Sequence, residues 1–100
     1  MKVREGLEID DERLADICHR YGVARLDLFG SALREDFRAG SDIDLLYEFK
    51  PDARVGWEIY DLQCELEKLF GRPVDLVGRR SIHWYIRDEI LAEARPLHAA

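Results

Sequence analysis

Long apolar runs are missing from this 100-residue chain, and so is any excess of positive charge. No stretch approaches the length that crosses a bilayer. Residues 1–10 carry acidic side chains where a secretory signal would have an apolar segment, so a cytoplasmic protein with no membrane partner is expected. Fifteen basic residues against 21 acidic ones give a formal charge of −6. A protein that coats nucleic acid needs the opposite balance to displace counterions, and no direct nucleic-acid binding is expected. There are only two cysteines, Cys18 and Cys64, with no metal-ligand spacing. Both fall on expected helix faces and read as reduced core residues, not as a disulfide framework. Internal repeats, low-complexity tracts and Pro/Gly/Ser-rich linkers are also absent, which makes residues 1–100 a single expected domain.

What is present is an ordinary folded composition, 47% hydrophobic and 36% charged, well away from the disordered regime. Apolar residues at Leu14, Ile17, Cys18 and Tyr21 predict a helix over 11–21, with Gly22 as its stop. Val23–Phe29 reads as a strand, with Ala24, Leu26 and Leu28 on one face and Val23, Arg25, Asp27 and Phe29 on the other. Gly30 breaks it, Ser31 is the expected N-cap of a short helix through about Phe37, and residues 38–41 form a turn. A second strand over 42–49 alternates Asp42, Asp44, Leu46 and Glu48 with Ile43, Leu45, Tyr47 and Phe49. A long helix is expected over 55–70, a short third strand over 74–77, and a last helix capped by Ser81 that turns Ile82, Tyr85, Ile86 and Ile90 inward and ends near Pro96. The resulting order is αβαβαβα, an α/β (α+β) domain with a small mixed three-stranded sheet and packed helices.

Three features of this pattern carry chemistry. The strand–Gly30–Ser31–helix junction offers close backbone approach, unpaired N–H groups and a hydroxyl donor, which suits a phosphate. Asp42 and Asp44 share a strand face beside Ile43, Leu45 and Leu46, where two like charges are costly without a cation. Asp75 stands in an otherwise apolar strand and is best tolerated if it faces the other two, although Arg72 or Arg79 is an alternative partner for it. Ten residues separate Ser31 from Asp42, enough for a short element to return to the same sheet edge. Three carboxylates beside a phosphate cradle describe a Mg²⁺-dependent phosphoryl or nucleotidyl transfer centre. Arg34, Arg38, Arg72, Arg79 and Arg80 are available for a local basic pocket.

Gly30-Ser31, the ten-residue gap and Asp42-Ile43-Asp44 resemble the signature of the DNA-polymerase-β-like nucleotidyltransferase superfamily. Within it, the chain resembles the minimal nucleotidyltransferases, MntA-like antitoxins that accompany HEPN-domain toxins. The likeness runs from about Val23 to Leu97. It includes Gly30-Ser31-x-x-Arg34, Ser41-Asp42-Ile43-Asp44-Leu45-Leu46, Pro73-Val74-Asp75-Leu76-Val77 and Ile90-Leu91-Ala92-Glu93-Ala94; Glu35-Asp36 stands where family members often have glycine. The resemblance implies a polymerase-β-like fold and a two-Mg²⁺ centre in which Asp42, Asp44 and Asp75 are catalytic and metal ligands. Gly30, Ser31, Arg34 and Ser41 would bind nucleotide, with Arg34 on the leaving pyrophosphate and Ser41 on a phosphate or on Asp42. It further implies transfer of AMP from ATP to a tyrosine of a HEPN ribonuclease toxin. The short chain leaves no room for an acceptor domain, which fits an acceptor brought by a partner. The alternative is a non-catalytic antitoxin that occludes its toxin, with ATP–Mg²⁺ as a structural ligand; transfer to a small hydroxylated substrate ranks third.

Other residues are expected to be structural. His19, His83 and His98 lack metal spacing, and His83 beside Trp84 reads as surface or partner-facing. Trp57, Tyr60, Trp84 and Tyr85 are expected to be core with a few half-exposed rings, ahead of an interaction surface. Arg79-Arg80 reads as a solvated helix entry.

Overall fold

The computed structural model describes residues 1–35, 37–38 and 40–99. A hairpin of β1 (Lys2–Arg4) and β2 (Leu7–Glu8) is followed by α1 (Asp11–Tyr21) and β3 (Val23–Phe29). A 3₁₀ turn, Gly30–Leu33, leads to β4 (Ile43–Phe49), α2 (Glu58–Phe70) and β5 (Val74–Gly78). A second 3₁₀ turn, Arg79–Ser81, precedes α3 (Trp84–Glu93) and β6 (Arg95–Ala99).

The mixed α/β class is as expected, but the sheet has four strands where three were expected, in the order β5-β4-β3-β6. β3 runs antiparallel to both β4 and β6, whereas β5 joins β4 in parallel through the α2 crossover. The additional strand begins where the last helix was expected to fade. Pro96 cannot donate to a ladder, so it is tolerated on this edge strand, where it lies opposite Asp27 at a register shift. The hairpin at residues 2–8 was not anticipated either, and it forms a separate sheet turned by Gly6 at φ 79°.

α1 and β3 have the predicted bounds. Asp10 caps α1 by accepting from the Glu12 and Arg13 N–H groups, and Gly22 ends it at φ 70°, a left-handed conformation that glycine adopts without penalty. α2 starts at Glu58, three residues later than expected, and Gly71 ends it in the same left-handed way. Leu14, Ile17 and Cys18 of α1 and Leu62, Leu66, Leu69 and Phe70 of α2 pack on Leu26, Leu28, Ile43, Leu45 and Val74, which form one face of the sheet. Val3, Leu7 and Ile9 join the same core, so the hairpin is packed into the protein.

Several local expectations are corrected. α3 begins at Trp84, with Ser81 in the preceding turn and not at its cap. Ile82 is buried and Ile90 half-buried, but Tyr85 and Ile86 face solvent, and no residue of the helix is buried. Trp57, Tyr60, Trp84 and Tyr85 are all exposed, at 83%, 61%, 78% and 64%, so they are not core. Cys18 is a core thiol pushed up to about 11 by burial, whereas Cys64 is exposed; neither is in a disulfide. No helix among the described residues is long and apolar enough to cross a membrane.

Candidate active site

Sheet geometry places the key carboxylates. In β4, Asp44 lies on the face opposite the helices, because its neighbours Ile43 and Leu45 are fully buried beneath them. The parallel register sets Asp75 directly abreast of Asp44, and strands are about 4.8 Å apart. That register is pinned at the head of β5. Gln63 of α2 donates to the Val74 carbonyl at 2.8 Å, Glu67 accepts from the Val74 N–H at 3.0 Å, and the Pro73 carbonyl accepts from the Ile43 N–H at 2.9 Å. Asp42 lies one residue before the strand and is exposed, as is Asp75.

Gly30 sits opposite this group at the end of β3, with φ 74°. A Cβ on Gly30 would collide with the Asp44 carboxylate, so glycine is required here both by conformation and by close approach. Burial raises the Asp44 carboxyl above the ordinary carboxylate range, and the charges of Asp75 and Asp42 push the same way; the Ser31 backbone N–H and the Arg34 guanidinium oppose them. The result is a focus of incompletely compensated negative charge built from hard oxygen donors, the chemistry that fits Mg²⁺ or a similar cation. Among the described residues, however, no three His, Cys, Asp or Glu side chains converge closely enough to hold a metal. The sheet brings the aspartates to one locality without closing them into a ligand shell.

The Gly30–Ser31 junction is not the start of a helix. It is a single 3₁₀ turn that ends at Leu33, closed by the Arg34 N–H on the Ser31 carbonyl at 3.0 Å. The expected helix through Phe37 does not form, and the carbonyls of Ala32 and Arg34 accept instead from the Arg4 side chain. Ser31 therefore caps nothing; its hydroxyl donates to the Asp42 carbonyl at 3.3 Å and ties the turn to the aspartate motif. Ser41 precedes Asp42 and bonds the turn before it, not the Asp42 side chain. Its hydroxyl accepts from the Arg38 N–H at 3.0 Å, and its N–H donates to the Arg38 carbonyl, which closes the expected turn before the strand. Arg34 is exposed at the site margin.

Asp75 is partnered by neither suggested arginine. Arg72 donates to the Arg38 carbonyl at 2.6 Å. Arg79, half-buried and so not a solvated helix entry, reaches across β4 and donates to Asp27. Asp27 is 2% exposed, shares the Asp44 face of the sheet, and has Arg25 as a second cation at 3.6 Å. This pair was missed in the sequence, although a charged residue within the apolar run of β3 gave the same signal that singled out Asp75. A cleft of about 310 Å³ lined by Tyr47, Lys50, Gly78, Arg80 and Ser81 opens at the other ends of β4 and β5, away from the aspartates.

The sheet thus sets Asp44 and Asp75 abreast, with a glycine turn against Asp44 and a parallel crossover between the two strands. Residues 11–97 match the nucleotidyltransferase domain family, and the chain belongs to that family. It is 37% identical over 82% of its length, and 87% of the relative's, to a Methanocaldococcus jannaschii protein named "Putative protein adenylyltransferase MJ0435". It is 32% identical over 78% of each chain to protein adenylyltransferase MntA of Thermococcus cleftensis. Among solved structures, "Structure of putative minimal nucleotidyltransferase" shares 36% identity at a TM-score of 0.71, over 86% of this chain and 87% of the other. A toxin–antitoxin structure with AMP-PNP shares the fold at a TM-score of 0.69 and 19% identity, over 92% of this chain and 75% of the other.

Proposed function

We propose that this chain transfers AMP from ATP to a tyrosine hydroxyl of a HEPN-type ribonuclease toxin and acts in this way as the toxin's antitoxin. The observation that carries the reading is Asp44 abreast of Asp75, with Gly30 pressed against the Asp44 carboxylate. The names of the relatives support a protein as acceptor, and the toxin–antitoxin setting of a structural neighbour supports a toxin as partner.

Asp42, Asp44 and Asp75 would hold Mg²⁺, which when bound supplies charge neutralisation at the α-phosphate and leaving oxygens and favours ionisation of the attacking hydroxyl. The Gly30–Ser31 turn presents backbone N–H groups to phosphate oxygens, and Arg34 offsets charge on the departing pyrophosphate. The tyrosine oxygen bonds to the α-phosphorus as the bond to the β-phosphate oxygen breaks. Its proton passes to the exposed Asp75 carboxylate and on to water. Ser41 fixes the turn that delivers Asp42.

The exposed rings of Trp57, Tyr60, Trp84 and Tyr85 also fit a macromolecular acceptor, and they favour the second reading, neutralisation by occlusion. One experiment separates the two. Incubation with ATP, Mg²⁺ and a HEPN-type ribonuclease toxin is expected to add AMP to that protein, detected by intact mass. The double variant D42N/D44N should still form the complex but transfer at least ~100-fold more slowly, since several kcal/mol of charge stabilisation are lost. No adenylyl mass from the wild type would overturn the transfer reading, and full neutralisation by the double variant would favour occlusion.

A further inference from the structure

The β1–β2 hairpin lies ahead of residues 11–97 that match the family, yet it reaches the candidate site. From β1, Arg4 Nη1 donates to the Ala32 carbonyl and to the Arg34 carbonyl, both at 2.9 Å. These are the inner end and the exit of the 3₁₀ turn that begins at Gly30. The Arg4 guanidinium also lies 4.4 Å from the centre of the Phe37 ring, within cation–π range. A second guanidinium, Arg72 from the α2–β5 connection, lies 4.3 Å from the same ring and donates to the Arg38 carbonyl. Two arginines from remote elements thus grip the connection between the Gly30–Ser31 turn and Asp42.

The base of this grip is firm. Val3 is fully buried next to Arg4, its carbonyl accepts from Arg95 at 3.0 Å, and the N-terminal ammonium donates to the Ile9 carbonyl at 2.8 Å. Within the connection the Phe37 N–H donates to the Arg34 carbonyl at a long 3.4 Å, and the Arg38–Ser41 bonds close its far end. The turn ends after Leu33, and the Ser31–Asp42 hydrogen bond is long at 3.3 Å. A depression of about 420 Å³ lined by Arg4, Ala32, Arg34, Glu35 and Arg95 borders the turn.

We propose that Arg4 is a positioning residue for nucleotide binding: it fixes the Gly30–Leu33 turn through two carbonyls and holds the following loop through Phe37. The inference rests on the reading of that turn as the phosphate site. Arg4 touches no phosphate itself; without it the turn and loop must be ordered when nucleotide binds, and affinity falls. Lysine does not substitute, because one ammonium reproduces neither the planar fork nor the stacking.

Calorimetric titration of ATP with Mg²⁺ into the wild type, R4A, R4K, F37L and R4A/F37L tests this. Arg4→Ala is expected to weaken binding about tenfold, or ~1.4 kcal/mol, at unchanged stoichiometry. Arg4→Lys should weaken it similarly while keeping the charge, which preserves the test where the alanine variant fails to fold. Phe37→Leu should cost about threefold, and the double variant less than the product of the two single losses, because Arg4 and Phe37 share a contact while Arg72 also stacks on the ring. A purely structural role would lower the binding-competent fraction and leave affinity unchanged, which overturns the proposal, as do losses that multiply in the double variant. Absence of ATP binding by the wild type would overturn the nucleotide reading, and this inference with it; wild-type binding matched by R4A would overturn the inference alone.

Discussion

The two faces of the sheet are built from the same strands and obey opposite rules. On the helix-covered face, Leu26, Leu28, Ile43 and Leu45 are each at 0% exposure and Val74 at 4%, sealed by α1 and α2. On the other face the same strands carry Asp27, Asp44 and Asp75. One face supplies stability through apolar burial, and the other carries the carboxylates of the candidate site, of which Asp44 is held in an unfavourable setting. Strand alternation lets both coexist one residue apart, so Asp44 sits between two fully buried neighbours in sequence without sharing their environment.

This contrast can be broken most severely from the apolar side. Leu45→Ala is expected to cost 2–5 kcal/mol, the usual range for a truncated core leucine (~2–5 kcal/mol), seen as a fall in the urea midpoint. Nucleotidyl transfer by the folded fraction should survive. Asp27→Ala breaks the one buried ion pair described on the acidic face. Loss of a fully buried pair costs ~3–5 kcal/mol. Arg79 retains 21% exposure and water takes part of the load, so about 1–3 kcal/mol is expected, measured the same way. Replacing both partners, as Asp27→Leu with Arg79→Met, should recover most of it; failure to recover would show that Arg79 matters for more than pairing.

The smallest effect has the opposite sign. The Asp44 carboxyl is raised in the fold, so its protonated form is favoured there. The associated stability is present below the ordinary carboxylate range and is lost as pH rises through the elevated value. At pH 7 the ionised side chain is a net cost, and Asp44→Asn should raise Tm. That advantage should close as pH falls toward the unfolded carboxylate value, and millimolar Mg²⁺ should reverse it by stabilising the wild type alone. A variant less stable than wild type at pH 7 without metal would contradict the idea of stored charge.

Much of this arrangement was legible in the sequence where local signals were complete. Asp11–Tyr21 had an acidic start, a full apolar stripe and Gly22 to end it, and its bounds agree with the structure. The period-two pattern over 42–49, a strand that in the structure starts one residue later at Ile43, put Asp44 on the face opposite Ile43 and Leu45, and the crossover through α2 brought Asp75 to it. What was hidden depends on distant partners. β6 is a strand only because β3 offers an edge, and its Pro96 argues against strand in isolation. The helix expected after Ser31 loses to Arg4, nearly thirty residues away in sequence, which takes the carbonyls of Ala32 and Arg34. α3 has apolar residues at helical spacing yet buries none of them, because spacing specifies a stripe and not what lies against it. The ion pair of Asp27 with Arg79 spans a strand that separates them, a relation that no local pattern encodes.

The parallel pairing of β4 with β5 has a consequence for how such a chain can change length. Of its two connections, residues 50–57 lie outside the β4–β5 ladder and can absorb added or lost residues without touching the abreast pair, whereas 71–73 hold the Pro73 carbonyl that pins Ile43. A single residue inserted between Ile43 and Leu46, or a one-step slip of β5, would swing a carboxylate into the leucine layer and a leucine out to water. Change in length is therefore tolerated in the connection that leads into α2, and the ladder that carries Asp44 and Asp75, with the short turn that feeds it, is the part of the chain whose residue count is fixed.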